Sequence, residues 1–143
     1  MIEVLIVMGL VAVVGGFALF VSMESYRGSS FHSDRDLLIA ALQRARAEAV
    51  DNICFGTCTD GKPHGVFMQS TSTIIFQGAS FATRDIAADA VFDANTAVTK
   101  SSLGEIVFSQ LSGTTTATST TLSDGIHSSV VSVGAEGQII WTN

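Results

Sequence analysis

The chain opens MIEVLIVMGLVAVVGGFALFVSM, a run in which Glu3 is the only charged side chain. No other stretch constrains the fold as strongly, because a run so apolar has no polar face to turn toward water. As a helix its 23 residues would reach about 35 Å at ~1.5 Å per residue, enough to cross a ~30 Å hydrocarbon layer. A transmembrane helix is therefore expected. A cleaved secretory signal would need a basic n-region, a shorter apolar run and a small-residue cleavage site, yet the first basic residue, Arg27, lies beyond the run. A plain membrane anchor explains everything except Glu3, since a carboxylate held in an apolar medium costs a few kcal/mol unless it finds a partner.

The segment Ile2-Glu3-Val4-Leu5-Ile6, continuing Val7-Met8-Gly9-Leu10, resembles the amino-terminal segment of type IV pilins and of the pseudopilins of type II secretion. Chains of that family begin, after processing, with a sequence like FTLIE followed by an apolar helix. Aligned on the acid, Met1 stands where the family usually has Leu. Two residues and a short basic leader ending in Gly have no counterpart here, so the reading frame is expected to start late, at an internal Met. The resemblance implies that Glu3 is an assembly residue, meeting the positive amino terminus of a neighbouring subunit as the chain joins a filament. Opposite charges attract strongly inside a low-dielectric bundle, and either alone would be costly there. Gly9, Gly15 and Gly16 would permit close helix approach or local unwinding, or simply reflect the tolerance of membrane helices for glycine.

After the polar junction ESYRGSS, the stretch FHSDRDLLIAALQRARAEAV sets Leu38, Ala41, Leu42, Ala45 and Ala49 three and four residues apart, one apolar stripe on a helix. Arg35, Gln43 and Arg46 fall on the opposite face. LQRARAEAV is similar to the corresponding segment of the GspH/FimT-type minor pseudopilins and minor pilins. The expected organisation is a membrane or filament-core half helix over 1–25, an amphipathic half over 26–52 and a β-rich head over 53–143. The fold class expected from this is α+β and pilin-like, with a long N-terminal helix packed on an antiparallel sheet head.

Gly56, Gly61 and Pro63, with Asp51, Asn52 and Asp60, end the helix. Cys54 and Cys58, the only cysteines, lie in this breaker cluster. Zinc would require further ligands, and His64 is the only nearby candidate. In the extracytoplasmic head that the resemblance implies, a Cys54–Cys58 disulfide is expected, worth about 2 kcal/mol for so short a loop. Two buried free thiols are the alternative.

Beyond the breaker, β-type runs alternate with turns: 65–69, 73–77, 105–110, 114–122, 126–133 and 137–141. Asp124-Gly125 signals a two-residue hairpin. These runs are expected to build one antiparallel sheet, or two small ones, on the amphipathic half helix. The stretch 78–104 lacks a clean period and reads as a long loop, with a short strand conceivable at 90–93. Asp85, Asp89 and Asp93 recur every four residues, which is the wrong spacing for a calcium loop and fits a solvated acidic one.

Charge narrows the function further. The net charge is −6, and beyond Val50 only Lys62, Arg84 and Lys100 oppose eight acids, so electrostatic capture of nucleic acid is disfavoured. His32, His64 and His127 stand in no nucleophile pattern, and neither a phosphate loop nor a zincin motif is present. No catalytic residue, metal ligand or cofactor site is assigned. The resemblance implies a structural subunit of a type IV pilus or secretion pseudopilus. The resemblance implies sister subunits, a prepilin peptidase with N-methylation, and an assembly machine as partners. It also implies residence in the bacterial inner membrane through residues 1–25 before export into an extracytoplasmic filament. The alternatives are a DNA-binding minor pilin and a membrane-anchored adhesion domain.

Overall fold

A computed structural model describes residues 2–56 and 58–142, giving the backbone but not the side chains of 18–25. Met1, where the late start is expected, lies outside the described residues. Among the described residues one helix, α1 (Ile2–Val50), precedes eight strands. They are β1 (His64–Met68), β2 (Ser72–Gln77), β3 (Ala90–Asp93), β4 (Thr99–Lys100), β5 (Gly104–Phe108), β6 (Thr118–Ser123), β7 (Ser128–Val133) and β8 (Ile139–Thr142). Short 3-10 turns at Phe81–Thr83 and Ile86–Ala88 bridge β2 and β3.

The expected transmembrane half requires correction. Among the described residues no helix is long and apolar enough to cross a membrane. The apolar side chains described at the start of α1 cover residues 2–17, about 24 Å at ~1.5 Å per residue, short of a ~30 Å hydrocarbon layer. The remainder of the expected span, 18–25, lies outside the described side chains. The single-pass inner-membrane location inferred for residues 1–25, and the membrane-anchored alternative with it, therefore loses its support. The α+β class with antiparallel sheets stands.

α1 ends where the sequence places its breakers. Asn52 takes a positive φ of 55°, which turns the chain back so that the Ile53 N–H donates to the Glu48 carbonyl at 3.0 Å. This is the left-handed reversal that commonly satisfies the last carbonyls of a helix. Gly61 passes so close to Asn52 that a Cβ there would collide with its side chain and carbonyl. The Leu111 N–H caps the Ala49 carbonyl from the loop after β5, tying the helix end to the head.

The strands form two four-stranded antiparallel sheets, ordered β3-β2-β1-β5 and β4-β6-β7-β8. The stripe Leu38, Ala41, Leu42, Ala45 and Ala49 is buried, joined by Phe31 two turns earlier on the same face. It shares one core with Val66, Met68, Ile75, Ile106 and Phe108 of the first sheet and Leu122, Val131 and Val133 of the second. Three alanines in the stripe leave room for the sheets to approach the helix, while Leu38 and Leu42 supply most of its apolar area.

The Asp124-Gly125 turn departs from the expected two-residue hairpin. A type I′ turn needs positive φ at both positions, and only Gly125 has it. The Asp124 carboxylate instead accepts the N–H groups of Ile126 and His127, which holds residues 124–127 as a longer connection between β6 and β7.

Candidate functional site

The expected assembly residue, Glu3, lies in the first turn of α1, where a carboxylate complements the positive end of the helix dipole. Around and beyond it, from Ile2 to Phe17, every large apolar side chain is between 58 and 73% exposed. A Cβ added at Gly9, Gly15 or Gly16 would meet nothing within 4 Å. This half of α1 is thus an arm without contacts to its own head. Ala12, Val13, Gly16 and Phe17 shape a shallow apolar notch along it, where the pair Ala12 and Gly16 would let another helix approach closely.

The arm joins the head at a neck built from three elements. Asn95, in the loop between β3 and β4, donates its backbone N–H to Asp34 and its side-chain amide to Ser30, grasping one side of α1. On the other side, the His127 ring stacks on Phe31 with centroids 5.6 Å apart and rests over Gly28. Asp124 accepts a hydrogen bond from His127 Nδ1 at 3.0 Å, fixing the ring. That bond, reinforced by the His127 and Ile126 backbone N–H groups, holds the Asp124 carboxyl well below the usual carboxylate range. A cleft of about 480 Å³ lies at the neck, lined in part by Tyr26, Phe31, Val98 and Asp124.

Cys54 and Cys58 are joined by a disulfide in the loop after α1. Gln77 clamps that loop, accepting the Phe55 N–H at 2.7 Å and donating to the Phe55 carbonyl at 3.2 Å. Beneath it lies His64, whose Nδ1 bonds the Lys62 carbonyl and whose Nε2 is 4.0 Å from Glu48. Burial lowers the His64 pKa, outweighing the opposing influence of Glu48 and the Lys62 carbonyl. Burial likewise lowers that of Lys100, against Asp34.

The structure does not bring Glu3 and the cysteines together: they mark opposite ends of α1, roughly 75 Å apart along a helix rising ~1.5 Å per residue. Asp85, Asp89 and Asp93 do not converge either. Asp89 pairs with Arg84 at 2.8 Å, Asp85 caps the 3-10 turn Ile86–Ala88, and Asp93 ends β3. The neck residues Asn95, Asp124 and His127 are not legible as a group from the sequence, because they meet only through the stretch of α1 from Gly28 to Asp34, Asn95 and His127 touching it directly and Asp124 holding His127, rather than through a spacing. Comparison of the chain with protein-family models, with curated proteins and with solved structures found no match.

Proposed function

We propose that this chain is a structural filament subunit of the minor pilin or pseudopilin kind, assembling through the arm of α1 against the equivalent helices of sister subunits. One observation carries the reading: an apolar arm, exposed on all its described faces, extends from a head that is already packed. Fully burying a Val, Leu or Ile side chain gains about 1.5–3 kcal/mol, so an arm bearing nine of them, all exposed, favours a helical bundle over water. Glu3 then gives the bundle its register. As water is excluded its carboxylate needs a cation, and the amino terminus of a neighbouring chain supplies one without introducing another side chain. A processing peptidase and an assembly machine belong to this reading as partners. The acidic head argues against the DNA-binding variant of the same role.

Two substitutions at Glu3 test the proposal. With the chain co-expressed beside its genomic neighbours, Glu3→Ala and Glu3→Gln should each lower its incorporation into sheared filaments at least tenfold while leaving the level of folded chain unchanged. The Gln variant keeps size and polarity, so its failure isolates the charge. Normal incorporation of both variants would reject the role given to Glu3.

A further inference from the structure

Among the described residues the two sheets have four edge strands, and three are guarded. β3 ends in Asp93, β4 is two residues long and carries Lys100, and β5 carries Glu105. Charge and brevity are the usual means by which an edge strand resists pairing with another chain. β8 has neither a charge nor a proline, and its flanks from Gly137 to Thr142 have none. Ile140 and Trp141 are about half exposed, one on each face of the strand.

The direction of its backbone groups follows from the ladder. The Gly134 N–H donates to the Gln138 carbonyl, which turns Gln138 toward β7. Alternation along an antiparallel strand then turns Ile140 and Thr142 toward β7, and leaves the N–H and C=O of Ile139 and Trp141 facing outward. Those are the groups a further strand would bond.

We infer that β8 pairs antiparallel with β8 of a second copy of this chain, about a two-fold axis through Ile140. In that register Ile139 lies opposite the partner's Trp141 and Trp141 opposite the partner's Ile139, each as a hydrogen-bonded pair, so all four outward N–H groups and carbonyls nearest the axis are satisfied. Ile140 faces its own counterpart on the outer surface, and Gln138 faces Thr142. Every apolar residue of the strand meets an apolar residue, and no like charges oppose. Sliding by two residues either way sets Trp141 against Gly137 or Ile140 against Thr142 and leaves one apolar pair of the three. The two faces of each sheet continue across the junction, giving an eight-stranded sheet from two copies of β4-β6-β7-β8. This interaction is separate from the arm of α1 and does not depend on the proposed filament role.

A four-residue strand makes a small interface, so a covalent readout suits it better than a sizing column. Ile140 and its counterpart form a facing, non-hydrogen-bonded pair with Cα atoms ~4.5 Å apart, within disulfide reach, whereas Thr142 and its counterpart would be offset by about 13 Å. The full chain, in a mild detergent that shields the arm, is exposed to a mild oxidant as Ile140→Cys and, separately, as Thr142→Cys. Covalent dimer is expected for the first at five times or more the yield of the second. Adding Trp141→Lys to Ile140→Cys should lower the dimer at least fivefold by placing a charge at each outward pair. Absence of dimer with Ile140→Cys, equal yields from the two cysteine variants, or indifference to Trp141→Lys would each overturn the pairing.

Discussion

The two halves of α1 share one backbone and meet opposite fates. Over 31–49 an apolar stripe one side wide disappears into the core, and the other side carries Arg35, Gln43 and Arg44. Over 2–17 apolar side chains surround the helix and none is buried. A stripe needs one partner surface, and the head provides it. An apolar surface on all sides needs several, and a single small head cannot wrap it. The contrast explains why the second half folds into the head and the first does not.

The difference predicts a steep gradient of mutational effect along the helix. Leu42→Ala, in the buried stripe, should lower the stability of the head by about 2–5 kcal/mol, whereas Val11→Ala on the arm should leave it within about 0.5 kcal/mol of the parent. Urea titrations of the full chain in mild detergent, followed by the fluorescence of Trp141, measure both. A cost at Val11 comparable to that at Leu42 would mean that the arm folds onto the head.

At the far end of the buried half, replacing Cys54 and Cys58 together by Ser should cost about 2 kcal/mol through the freed loop, with Glu3-dependent assembly unchanged. The same titration reads the first effect and filament incorporation the second. A smaller change is expected with pH. His64 binds its proton less readily in the fold than in the unfolded chain, so its contribution to stability is complete above the ordinary histidine value of 6.5 and is lost as the pH falls through and below it. The urea midpoint should therefore drop between pH 8 and pH 5, and His64→Gln should flatten that part of the curve. An unchanged slope in the variant would assign the drop to other groups.

The buried half was the more legible of the two in the sequence. Spacing of Leu38, Ala41, Leu42, Ala45 and Ala49 defined the core face, and the runs around Val66, Ile75, Ile106 and Val131 fell in strands because each is a short stretch rich in β-branched and aromatic residues bounded by turn residues. The buried polar groups were hidden. Asp34 and Gln77 look like surface residues until Asn95 and the Phe55 backbone arrive from distant parts of the chain to meet them, and Glu48 and His64 are buried by the fold although their partners, Arg44 and the Lys62 carbonyl, are close in sequence. Arg46 shows the same limit, since it leaves the polar face to reach the Glu136 carbonyl. For the arm, hydropathy registered the need for an apolar environment and could not say which. Bilayer and helical bundle ask for the same residues, and the length of the described apolar stretch weighs against the bilayer.

The decisive measurement is the accessibility of the arm before and after assembly. Val11→Cys, with the native disulfide left intact, is treated with a water-soluble maleimide in the dissociated chain and in isolated filaments. The proposed bundle predicts rapid labelling in the dissociated chain and at least tenfold protection in the filament. Equal labelling in both states would contradict it.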